Sequence, residues 1–67
     1  MLERFQSNLR SIRQEKGLTI EQLSEETGVA TRTIISLEQE SGSNPQIATV
    51  MRLMKYLEIK FEDLYPA

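Results

Sequence analysis

The feature that most constrains this 67-residue chain is a helix stop followed almost at once by a helix start. Leu18-Thr19-Ile20-Glu21-Gln22-Leu23 carries a full start signature: Thr19 offers an N-cap oxygen, Gln22 can return the capping box, and Leu18 and Leu23 can close a hydrophobic staple. A cap of this kind contributes about 1 kcal/mol. The helix predicted from Ile20 to about Glu26 should end at Thr27-Gly28, because glycine takes a left-handed C-cap without the steric penalty of a Cβ. A new amphipathic pattern begins near Ala30, where Val29, Ile34 and Leu37 can pack back on the first helix while Arg32, Ser36 and Gln39 project away.

Two short helices joined by a glycine-containing turn of three or four residues form a helix-turn-helix arrangement, here over about residues 20 to 39. The remaining chain reads as helix too. Phe5, Leu9 and Ile12 fall at i, i+4 and i+7, predicting a first helix over about residues 2 to 16 with Gly17 as its stop. Glu40-Ser41-Gly42-Ser43-Asn44-Pro45-Gln46 is loop-like, and Pro45 suits the first turn of a following helix. Ile47, Val50, Leu53, Met54 and Leu57 then predict a fourth helix over about 46 to 57, and Phe61 to Tyr65 a short final turn with Phe61, Leu64 and Tyr65 inward. The fold class expected is all-α, a compact five-helix bundle occupying residues 1–67 as one domain.

Composition narrows the function more by exclusion than by assertion. With 39% hydrophobic and 27% charged residues the chain is that of a soluble globular protein. It has no cysteine and no histidine, so a disulfide framework and the usual zinc ligand sets are excluded, and no nucleophile–base pair can be assembled from them. Glu21, Glu25 and Glu26 read as a solvated face, with Glu21 favouring the helix dipole. No enzymatic activity and no cofactor are expected. No apolar run approaches the roughly 20 residues that span a bilayer, and MLERFQSNLR lacks the apolar core of a signal peptide, so a cytoplasmic protein without membrane contact is expected.

Several residues match a known family in register: Leu18-Thr19 opening the second helix, Leu23-Ser24, Gly28-Val29 in the turn, Thr33-Ile34, and Leu37-Glu38 closing the third helix. Asn44-Pro45 and the stretch from Leu53 to Leu64 continue the match over nearly the whole chain. In these residues the chain resembles the Cro/cI-type helix-turn-helix family of phage and bacterial repressors, also called the XRE family. The resemblance implies a phage-repressor-like DNA-binding domain, and a tie between Arg13 in the first helix and Glu38 at the end of the third. It also shows departures. Ile20 stands where the family usually has a glutamine, Ala30 where it has an N-cap serine, Glu58 where it often has a glycine, and Lys60 where it often has serine or threonine.

The function expected is that of a sequence-specific transcriptional regulator, chiefly a repressor, that inserts its third helix into the major groove of a double-stranded DNA operator. Arg32 would grip a guanine, since arginine is the commonest side chain to do so bidentately, and Thr31 and Ser36 would offer further base contacts. Thr31 and Ser36 are equally ordinary on a helix surface, whereas the register of Arg32 within the motif favours the contact. Ile35, at the flank of that face, reads either as a contact to a thymine methyl or as packing. Thr19, Thr33, Gln39, Ser43 and Asn44 suit phosphates, because helix N-termini and small polar loop residues suit anions.

So few cations neutralise few phosphates, so useful affinity calls for a homodimer on a two-fold operator. Ile59, Phe61, Leu64 and Tyr65 are the expected interface, although Phe61, Leu64 and Tyr65 read equally as core. Charge supplies the rival reading. The chain is net −2, and residues 20 to 40 hold one arginine against five acids. That pattern also fits an acidic helix-turn-helix module that binds protein, anti-repressor or antitoxin-like, with little DNA affinity.

Overall fold

A computed structural model describes residues 5–39 and 41–66. Five helices follow in order: α1 (Leu9–Glu15), α2 (Ile20–Thr27), α3 (Thr31–Glu38), α4 (Ile47–Leu57) and α5 (Phe61–Leu64). Among the described residues there is no β-strand, only an isolated antiparallel bridge between Phe5 and Ser43. The architecture is therefore all-α.

Each helix buries one stripe, and the stripes share one core. Leu9 and Ile12 come from α1, Leu23 from α2, Ile34 and Leu37 from α3, Val50, Leu53 and Leu57 from α4 and Leu64 from α5, with Val29 of the turn completing the set. Spacings of three and four put each helix's members on the same side. A fully buried leucine contributes about 1.5–3 kcal/mol, so these apolar side chains are the main source of stability in so short a chain.

The first helix is shorter than its periodicity suggests. It starts at Leu9, and Phe5 lies outside it, 48% exposed; the expected residues 2 to 4 fall outside the described part. The segment before α1 is not helical, because other elements claim its hydrogen bonds. Phe5 and Ser43 exchange both backbone bonds at 2.8 and 3.0 Å, Ser7 Oγ donates to the Leu37 carbonyl at 2.6 Å, and Asn8 N donates to the Leu64 carbonyl at 2.7 Å. Residues 5 to 8 thus tie the ends of α3 and α5 to the loop before α4. A periodicity count sees none of this.

Three further expectations change. Ile47 and Phe61, expected inward, are 67% and 55% exposed. Leu64, read both as an inward residue and as dimer surface, is only 1% exposed and sits in the chain's own core, so the inward reading holds and it offers nothing to a partner. Ile59 and Tyr65 are half-buried and pack against that core. The Tyr65 ring meets Phe5 edge-on at 6.5 Å and Phe61 at 5.4 Å between centroids. Burial raises the pKa of the Tyr65 phenol, and its hydroxyl is buried without a hydrogen-bond partner among the described residues.

Candidate nucleic-acid interface

The start of α2 is built as its sequence signature requires. Gln22 N donates to Thr19 Oγ1 at 3.0 Å and Thr19 N to Gln22 Oε1 at 2.8 Å, closing the capping box. The helix ends on Gly28 in the left-handed region at φ 77°, and the Gly28 N–H returns to the Ser24 carbonyl at 2.9 Å. Thr27 locks the turn from the side: its hydroxyl donates to the Leu23 carbonyl at 2.7 Å and accepts from Val29 N at 3.2 Å. With Val29 buried just beyond, the direction in which α3 leaves α2 is fixed by both backbone and side chain.

α3 has two unlike faces. Ile34 and Leu37 are buried, whereas Thr31, Arg32, Ile35 and Gln39 are exposed and Thr33 and Ser36 are half-buried. Ala30 at its N-cap gives no side-chain hydrogen bond, so the first amides of α3 are not capped by its own side chain. Arg32, Thr33 and Ser36 share a shallow depression of about 260 Å³ with Ser43, Asn44 and Pro45 of the loop before α4. Five of the eight residues expected to touch DNA therefore line one depression, but Ser43, expected on a phosphate, is 8% exposed, its hydroxyl is buried and its amide donates to the Phe5 carbonyl. Thr31, Gln39 and Thr19 lie outside that depression, and Thr19 Oγ1 already accepts the cap bond.

The far end of α3 is held by charge. Arg13 Nε donates to Glu38 Oε2 at 2.7 Å, Arg13 Nη2 to Glu38 Oε1 at 3.0 Å, and Arg13 Nη1 to the Leu18 carbonyl at 2.8 Å. Only 12% and 8% of the two side chains reach solvent. The hydrogen bond to Glu38 raises the Arg13 pKa despite the opposing cost of burial. This fork joins α1, the strand of chain entering α2, and the last residue of α3.

A family model described as helix-turn-helix matches residues 9–64, the span from the first buried leucine to the last. The chain belongs to the XRE-type helix-turn-helix family. It is similar to the HTH-type transcriptional repressor RghR of Bacillus subtilis (strain 168), 35% identical over 63 residues that make up 94% of this chain and 47% of that protein. It is also similar to the uncharacterized HTH-type transcriptional regulator RghRB of the same organism, 32% identical over 63 residues, 94% of this chain and 45% of the relative. The chain thus spans about half the length of the curated relatives it matches.

Within this helix-turn-helix frame, the departures acquire physical reasons. Ile20, at the position where the resemblance leads one to expect glutamine, is half-buried and packs against the core rather than standing out from α2. Glu58, at the usual glycine position, caps α4 in the left-handed region at φ 55°. Two contributors to the loop were not apparent in sequence. Ser7 anchors the end of α3, and Gly42 runs so close to Phe5 that an added Cβ would stand 3.0 Å from the Phe5 carbonyl carbon. Gly42 beside Ser43 was the only signal available, and a loop glycine by itself does not name the backbone it approaches. Among the described residues no group of His, Cys, Asp or Glu is placed to hold a metal ion, and no helix is long and apolar enough to cross a membrane.

Proposed function

We propose that this chain is a DNA-binding transcriptional regulator, acting chiefly as a repressor, that sets α3 in the major groove of an operator. The observation that carries the reading is the shared depression: α3, through Arg32, Thr33 and Ser36, stands beside the Ser43-Asn44 loop. A major groove about 12 Å wide admits one helix, and Asn44, exposed on the adjacent loop, then faces the phosphates at its edge. Arg32, Thr31 and Ser36 are the proposed base contacts; Thr19, Thr33, Gln39 and Asn44 are the proposed phosphate contacts, with Ser43 set aside because its hydroxyl is buried. The repressor named among the relatives agrees with this reading.

A second copy completes it. Phe61 and Tyr65, with Phe5 and Ile47, line an open cleft of about 800 Å³ that also reaches Asn44 and Pro45. Contiguous exposed apolar surface of this kind marks interaction sites. A two-fold contact there, to which a half-buried Ile59 could add, would place two copies of α3 on successive turns of one DNA face, roughly 34 Å apart. The protein would work in the cytoplasm, where its operator is.

The acid excess of residues 20 to 40 favours the rival, a protein-binding module. Its weight is reduced because the Glu38 carboxylate is turned inward onto Arg13. Selection from random duplex DNA, followed by titration across a salt series, separates the two. The regulator enriches a defined sequence and binds it less tightly as salt rises; an acidic protein-binding module enriches none, and shows no affinity for duplex DNA even at low salt.

A further inference from the structure

On α3, Ile35 is the one large apolar side chain left in water, 48% exposed. The other exposed large apolar side chains, Phe5, Ile47, Met51, Tyr56 and Phe61, belong to the N-terminal segment, α4 and α5. Ile35's exposed companions on α3 are polar: Thr31 lies four residues before it and Arg32 three before, so both share its side of the helix. A lone isoleucine among polar groups is a poor protein-docking surface, yet it suits a groove wall that is polar except for one kind of methyl group. In the major groove that methyl is the C5 substituent of thymine.

Resting on the reading of α3 as the groove helix, we infer that Ile35 is a specificity-determining residue that packs on a thymine C5 methyl close to the guanine held by Arg32. Helix geometry sets the distance. Three residues advance about 4.5 Å along α3, and base pairs are stacked about 3.4 Å apart. The thymine therefore lies within one or two base steps of the guanine. Arg32 supplies directional hydrogen bonds and Ile35 a shape and methyl test, so a cytosine at the second position is rejected for what it lacks.

The test removes the methyl without touching a hydrogen bond. Each thymine of a duplex selected by the wild-type chain is replaced singly by deoxyuridine, and affinity is measured for wild type, Ile35→Ala and Arg32→Ala. Thermal melts confirm that the variants fold, as expected for two exposed positions. One deoxyuridine should weaken wild-type binding about threefold to fivefold, the loss of one buried methyl contact, and leave Ile35→Ala binding unchanged. The guanine whose identity ceases to matter in Arg32→Ala should stand within two base steps of it. A deoxyuridine penalty that persists undiminished in Ile35→Ala, or no penalty at any thymine, overturns the inference while the regulator reading stands. Failure of the wild-type chain to select any duplex overturns both.

Discussion

Arg13 and Glu38 meet through a two-bond fork, Nε to Oε2 at 2.7 Å and Nη2 to Oε1 at 3.0 Å, which fastens the end of α3 to α1. The pair is largely buried, and a buried charge that loses its partner costs about 3–5 kcal/mol, whereas replacing both by apolar groups is often neutral or better. Arg13→Ala or Glu38→Ala should each lower stability by that amount, a large share of what a chain this small holds. Arg13→Met combined with Glu38→Leu should recover most of it. Urea melts of the wild type and the three variants check this; a double variant as unstable as either single one would mean that the fork contributes more than mutual neutralisation.

Gly28 and Gly42 both have positive φ but differ in what surrounds them. A Cβ at Gly28 meets only the end of the Arg52 side chain at 3.8 Å, so Gly28→Ala should cost about 1–2 kcal/mol from backbone conformation alone. At Gly42 the same Cβ presses on Phe5 backbone atoms at 3.0 and 3.1 Å, which have little freedom to yield because Phe5 and Ser43 exchange two hydrogen bonds. Gly42→Ala should therefore be the more destabilising, and should weaken any function of the Ser43-Asn44 loop. Thermal denaturation that ranks Gly28→Ala as worse would contradict this.

Glu58 carries the reverse opportunity. It is the only non-glycine residue with positive φ among those described, at 55°. The left-handed conformation costs an L-residue about 1–2 kcal/mol, part of which glycine gives back through its freer unfolded chain. Glu58→Gly should stabilise the fold by up to about 1 kcal/mol, seen as a higher Tm. A lower Tm would show that the Glu58 side chain contributes more than its backbone costs.

The contrast between Leu64 and Phe61 tests the proposed dimer. Leu64 is 1% exposed and Phe61 55% exposed, three residues apart on α5. Leu64→Asp should unfold the chain, by the cost of a charge in the core. Phe61→Asp should leave the melt nearly unchanged and shift a homodimer toward monomer in sedimentation at tens of micromolar. A folded Phe61→Asp variant that sediments as the wild type does would remove Phe61 from the interface.

Most of the fold was legible because the informative signals were local. The Thr19-Gln22 box, the Gly28 stop and the three-and-four spacing of Val50, Leu53 and Leu57 all act within a few residues, and the helices they define end within a residue or two of the expected positions. The start of α1 was not legible: Phe5 continues the apolar period of Leu9 and Ile12, yet the Ser43 backbone, 38 residues on, competes for its amide and wins. Leu64 left two readings open, core and dimer surface, for a related reason. In so short a helix one apolar face looks the same whether it meets a partner or its own core, and the Asn8 amide on the Leu64 carbonyl, which draws α5 inward, joins residues 56 apart. For the candidate site, sequence named its residues by chemical type, and the structure added which of them share a surface.

Whether α3 reads base sequence is decided by Arg32→Ala on a selected operator. Arg32 is exposed, at the second position of α3, and borders the depression shared with the loop. Affinities of wild type and variant should be measured in parallel for the selected duplex, for its single-base variants and for unrelated duplex DNA. Arg32→Ala should lose about 1–3 kcal/mol on the selected duplex, with relaxed preference at a single guanine and much less change on unrelated DNA. An equal loss on every sequence would reduce Arg32 to a phosphate contact, and binding of the selected duplex at wild-type strength and preference would contradict the claim that this face of α3 reads the groove.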